Sequence, residues 1–200
     1  MFDFRAYGRS FLFPEESRTH LLLRRTPVSK PALLLIDLQN DYFPGGAFAL
    51  ANTEAALVAV EKAIRHAKAR GLPVVHVQHV ADATQGIAPF FNADTEGVKI
   101  HPRILDAAPD APVVVKHFAD SFERTNLHST LQALGATELV LCGMMTQNCV
   151  THTALSRQAD AYERVTVLTD ACTTVSEMLH AIALHALSTR VQLADSASNW

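Results

Sequence analysis

The sequence predicts an α/β domain on a mostly parallel sheet, and three observations carry that prediction. Short, continuous apolar runs recur along the chain, Ala32–Ile36 and Leu139–Cys142 among them. Amphipathic stretches of helical period lie between them, and glycines such as Gly71 and Gly135 close those stretches. Strands buried on both faces read as unbroken apolar runs. Strands that alternate with helices form parallel pairs, because parallel neighbours need long right-handed crossovers.

The elements follow in order. Ala32–Ile36 is the first strand. Thr53 to Arg70 reads as a helix with Leu57, Val60, Ile64 and Ala67 on one face. Pro73–Val77 and Pro112–Val115 are the next strands. Leu127, Leu131 and Leu134 mark a helix. Strand Leu139–Cys142 leads into a helix from about Gln147 to Ala161. Val165–Leu168 is a strand, Ser176–Thr189 a helix, and Val191–Leu193 a short final strand. Residues 1–30, punctuated by Pro14 and Pro27, read as an irregular leader, and residues 31–200 as a single domain.

The 200 residues suffice to bury a core. A net charge of −3 argues against nucleic-acid partners, and no apolar run reaches the ~20 residues that span a bilayer. The N-terminal residues lack a signal-peptide pattern, and three cysteines do not form a disulfide framework. A reducing cytoplasm is the expected setting.

Ligands in open parallel sheets bind beyond the carboxyl ends of the strands. Three such ends carry unusual residues. Asp37 ends the first apolar run, where a carboxylate is partly desolvated and needs a cation or donor. Lys116 ends Val113–Val115 and needs a counter-charge, for which Asp37 is suited. Cys149 falls in the first turn of the helix after Leu139–Cys142, with Thr146 as a candidate N-cap. Free N–H groups there favour a thiolate and offer donors to an oxyanion. Cys142 and Cys172 read as core residues. The ten histidines are scattered. His76 and His79 point to opposite faces of one strand, His180 and His185 are poorly spaced on one helix, and no Cys/His set has zinc spacing. No phosphate-loop or dinucleotide motif appears. Neither a metal nor another cofactor is expected.

Three segments in order, Leu34–Tyr42, Lys116–Thr125 and Cys142–Val150, resemble the isochorismatase-like cysteine hydrolase superfamily, and Asp170-Ala171-Cys172 adds to the match. The resemblance runs from about Pro31 to Leu193. It implies a three-layer sandwich with a six-stranded, mostly parallel, Rossmann-like sheet, and assembly as dimers or tetramers. It implies catalytic Asp37, Lys116 and Cys149, a cis peptide between Met144 and Met145, and an oxyanion hole from the Met145 and Cys149 amides. Tyr42, Gln39, Gln78 and Phe122 are candidate substrate contacts, and Phe90 and Phe91 candidate apolar walls. The namesake branch hydrolyses a vinyl ether and lacks the cysteine; Cys149 therefore points to C–N cleavage in a small amide, carbamoyl or ureido compound. Nicotinamidases are similar at Asp41–Gly46 but carry an Asp-x-His metal motif where this chain has His79-Val80-Ala81. An ether hydrolase and a non-catalytic thiol sensor are the competing readings.

Overall fold

A computed structural model describes residues 29–200 of the chain. The leader assigned to residues 1–30 thus lies outside the described residues except for Ser29 and Lys30.

Six strands form one sheet: β1 (Pro31–Ile36), β2 (Val74–His79), β3 (Val113–Lys116), β4 (Glu138–Met144), β5 (Arg164–Thr173) and β6 (Gln192–Ala194). Their order is β3-β2-β1-β4-β5-β6, and every pairing is parallel. All of β1 and β4 is buried, as their unbroken apolar runs require. Pro31 begins β1, a strand position where a missing N–H is tolerated. β3 is an edge strand and alternates instead, with Val113 and Val115 exposed and Val114 and Lys116 buried.

Helices flank the sheet: α1 (Thr53–Ala69), α2 (Pro102–Ala107), α3 (Leu127–Ala133), α4 (Thr151–Ala154) and α5 (Glu177–Leu187). α1 buries Leu57, Val60, Ile64 and Ala67 on one face, each large side chain contributing about 1.5–3 kcal/mol. Gly71, at φ 65°, follows the end of α1 in the left-handed conformation that favours glycine. The Ser176 hydroxyl caps α5 by accepting from the Leu179 amide.

The sequence-based elements differ from the structure in three places. α2 carries no long apolar period and was not anticipated; Pro102 at its first position and the His101 ring, which accepts from the Arg103 amide, start it. β5 continues through Asp170-Ala171-Cys172 to Thr173 after a register shift opposite Leu141–Gly143. The helix expected over Gln147–Ala161 is instead a π turn at Thr146–Val150, the short α4 and a separate 3-10 turn at Ala159–Ala161.

Strand order reverses at β1, whose neighbours are β2 on one side and β4 on the other. Asp37 leaves the carboxyl end of β1, Lys116 ends β3, and β4 runs directly into the turn that holds Cys149. The topology therefore collects all three at one rim.

Candidate active site

Asp37 has φ 51°, a left-handed conformation rare outside glycine. Such backbone costs about 1–3 kcal/mol and persists where the surroundings hold it. The Asp37 amide donates to the Val77 carbonyl of β2 at 3.0 Å, and the Gln39 amide closes on the Asp37 carbonyl at 2.9 Å.

Lys116 is in register with His79 of β2. Its Nζ lies 2.9 Å from Asp37 Oδ2, with both side chains 0% exposed. The same ammonium donates to the Phe118 carbonyl at 3.0 Å and to His79 Nδ1 at 2.9 Å. An ammonium has no lone pair, so His79 Nδ1 is the acceptor and the imidazole hydrogen sits on Nε2. Burial and the Lys116 charge push the His79 pKa down to about 4, which keeps the ring neutral. Burial alone would favour a neutral Lys116 amine, but Asp37 and then Cys149 outweigh it and hold the ammonium above its ordinary pKa. Neither Asp37 oxygen has a hydrogen-bond partner among the described residues: Oδ2 meets Lys116 as an ion pair, and Oδ1 is an open acceptor.

Cys149 is 2% exposed in the π turn. One acceptor or donor atom each from Asp37, His79 and Cys149 lies within 4.8 Å of the other two. The turn closes on the Met145 carbonyl, which accepts from the Asn148 and Val150 amides at 3.0 and 3.3 Å. The Met144–Met145 peptide is cis. Gly143, at φ 126°, packs so closely on β1 that a Cβ there would strike the Ile36 carbonyl. This contact brings the end of β4 hard against the strand that delivers Asp37.

One expectation about this turn needs correction. Thr146 is not a side-chain N-cap: Met145 holds the cap position, and Thr146 Oγ1 pairs with His180 Nδ1 at 2.8 Å. Burial pushes the Cys149 thiol pKa up, Asp37 pushes it further, and Lys116 acts in the opposite direction. The other two cysteines are also buried and free; Cys142 contacts the Leu34 carbonyl through Sγ, at 3.6 Å, and burial pushes Cys172 up to about 12.

Gln39 and Asp41 brace the loop around the site. Gln39 Nε2 donates to the His79 and Val98 carbonyls at 2.8 and 2.7 Å, and its Oε1 accepts from the His79 amide at 2.8 Å. That uses both amide N–H groups, so Gln39 pins the end of β2 rather than contacting substrate. Asp41 accepts from the Phe91 amide at 2.7 Å and from the Ala47 amide at 3.1 Å. A side chain at Gly97 would collide with this carboxylate.

The remaining candidates divide. Tyr42 is 1% exposed and lies near enough to Asp37 and Cys149 for their charges to raise its hydroxyl pKa, after burial. Its ring packs on Phe91 at 4.5 Å and Phe90 at 5.2 Å, and Phe48 meets Phe90 at 4.9 Å, forming one aromatic wall. Gln78 instead donates to the Val98 carbonyl and lines a separate groove with Asn40, Lys99 and Leu105. Phe122 is 2% exposed and packs on Tyr162 at 6.2 Å, an ordinary core role. Sequence reasoning missed His79 and Phe48. His79's one signal was its place near a strand end.

The donor set does not suit a metal. Asp37, His79 and Cys149 surround space already served by the Lys116 ammonium, which lies 2.9 Å from both Asp37 Oδ2 and His79 Nδ1. A cation there would face that charge directly.

Comparison with known proteins agrees with this geometry. The isochorismatase domain family matches residues 31–197. The isochorismatase family protein YddQ of Bacillus subtilis (strain 168) is 43% identical over 145 residues, covering 72% of this chain and 78% of that protein. The maleamate amidohydrolase of Pseudomonas putida is 31% identical over 69% of this chain and 70% of its own length. The crystal structure of an isochorismatase-like hydrolase from Alkaliphilus metalliredigens superposes with a TM-score of 0.74 at 26% identity, covering 84% of this chain and 95% of that one. Fold and relatives together define a hydrolase built on a parallel, helix-flanked sheet. The chain belongs to the isochorismatase family. Among the described residues no helix is long and apolar enough to cross a membrane.

Proposed function

We propose that this hydrolase cleaves the C–N bond of a small amide, carbamoyl or ureido compound through a Cys149 thioester. One observation carries the reading: Asp37, Lys116 and Cys149, delivered by three different elements, meet in a buried cluster beside an aromatic wall. The name of the maleamate amidohydrolase relative supports amide chemistry.

In this scheme Asp37, through its open oxygen, takes the thiol proton as Sγ attacks the carbonyl carbon. Lys116 stabilises the negative charge that develops. The oxyanion is held by the amides of Met145 and Cys149, each such donor being worth roughly 3–4 kcal/mol in the transition state. Asp37 returns the proton to the departing amine or ammonia. It then deprotonates the water that opens the thioester, and the proton finally goes back to Sγ. A raised thiol pKa fits this order, because the proton moves only when a substrate is present to be attacked.

The test is ammonia release from a panel of primary amides, carbamoyl and ureido compounds, with Cys149→Ala beside the wild type. Turnover that disappears in the variant supports the scheme. Equal turnover in both proteins refutes it.

We further propose small molecules, and neither nucleic acid nor membrane, as partners, a homo-oligomeric dimer or tetramer as the assembly, and the cytoplasm as the compartment. The charge balance, the cysteine usage and the family resemblance support these readings.

A further inference from the structure

The site contains one polar side chain for which the thioester scheme has no step. His79 ends β2, next to Lys116 in register, and its Nδ1 accepts from Lys116 Nζ at 2.9 Å. The Phe118 carbonyl accepts a second N–H at 3.0 Å. Asp37 Oδ2 lies 2.9 Å from the same nitrogen as an ion pair. A lysine side chain is a flexible stem with a freely rotating head. Two neutral acceptors fixed on neighbouring backbone remove that freedom and leave the third N–H for Asp37 and Cys149.

His79 is itself held from several sides. Gln39 ties both its amide and its carbonyl, and Phe91 packs on its ring at 5.8 Å. Titratable groups face it from every side of the rim: Lys116 and His117 from β3 and the loop after it, Asp37 from the end of β1, and Cys149 from the π turn. A neutral ring among these groups offers a lone pair without adding charge.

We propose that His79 is a positioning residue for this reaction, its Nδ1 fixing the Lys116 ammonium so that the remaining N–H faces the Asp37 carboxylate and the Cys149 sulfur. This inference rests on the cysteine scheme above, but it is tested without any substrate. Lys116 affects the thiol only if the ammonium is held near it.

The experiment measures the second-order rate of Cys149 alkylation by iodoacetamide at fixed pH, with Cys142→Ala and Cys172→Ala in the background so that one thiol reports. It compares His79, His79→Leu and His79→Asn, each with Lys116 and with Lys116→Met. Asparagine places an acceptor oxygen close to the position of Nδ1. The expected result is an alkylation rate about tenfold lower in His79→Leu, equivalent to one pKa unit at the thiol, and largely restored in His79→Asn. His79→Leu should have no further effect once Lys116 is methionine. An unchanged rate in His79→Leu overturns the proposal, as does an equal loss in His79→Asn, or an equal effect of His79→Leu in both backgrounds. Should Lys116→Met fail to fold, the contrast between the leucine and asparagine variants decides alone. Failure of the amide panel with this pattern intact would count against the reaction and leave the His79 assignment standing.

Discussion

Lys116 Nζ stands 2.9 Å from Asp37 Oδ2, with both side chains wholly buried, although the two residues belong to strands separated by β2. Removing one member of such a pair strands a buried charge and costs about 3–5 kcal/mol. Asp37→Asn and Lys116→Met should therefore each lower the midpoint of urea unfolding. The double variant should lose less than the sum of the two. Additive losses would mean that the pair is not coupled.

The same variants should move the thiol in opposite directions. Asp37 raises the Cys149 pKa and Lys116 lowers it. At a given pH below the thiol pKa, Asp37→Asn should alkylate faster than the wild type and Lys116→Met more slowly. Asp37→Asn should nonetheless lose about 10²–10⁴-fold in turnover, the usual contribution of a general base. Wild-type alkylation should climb with pH and show no plateau near neutrality.

Acid should weaken the fold through its buried histidines. His79 in the folded state is pushed to about 4, and burial lowers His76 as well. Between about 4 and an unfolded value of ~6.5, the unfolded chain binds more protons at His79 than the folded one, and His76 acts in the same direction. Stability is then fully present above that window and falls as pH drops through it. Thermal unfolding from pH 7 to 4 should show a falling Tm, and His76→Gln or His79→Asn should flatten the slope.

Gly143→Ala should abolish folding or leave an insoluble protein, because the new methyl group would collide with the Ile36 carbonyl and φ 126° is foreign to alanine. Gly71→Ala, where nothing lies within 4 Å of the added Cβ, should cost only the strain of its left-handed conformation. Circular dichroism and soluble yield of the two variants separate these outcomes.

Much of this site is legible in the sequence because its residues end or follow apolar runs. Asp37 and Lys116 end apolar runs and Cys149 follows one, and a parallel sheet gathers such ends at one rim. The contact of His79 with Lys116 is not legible in the sequence, because the two are far apart along the chain and adjacent only through strand register. Gln39 was assigned to substrate because sequence cannot show that three backbone groups already occupy its amide. The π turn at Thr146–Val150 falls at the start of the helix expected from about Gln147, because nothing in these residues distinguishes a π from an α turn. There the Asn148 and Val150 amides close on the Met145 carbonyl.

A covalent intermediate would speak most directly to the role of Cys149. A productive amide substrate should be mixed with the enzyme, acid-quenched within the first turnovers, and the peptides mapped by mass. The thioester scheme predicts an acyl increment on the peptide containing Cys149, removed by hydroxylamine and absent in Cys149→Ala. Sustained turnover with no increment on that peptide, and with activity unimpaired after Cys149 is alkylated, would contradict it.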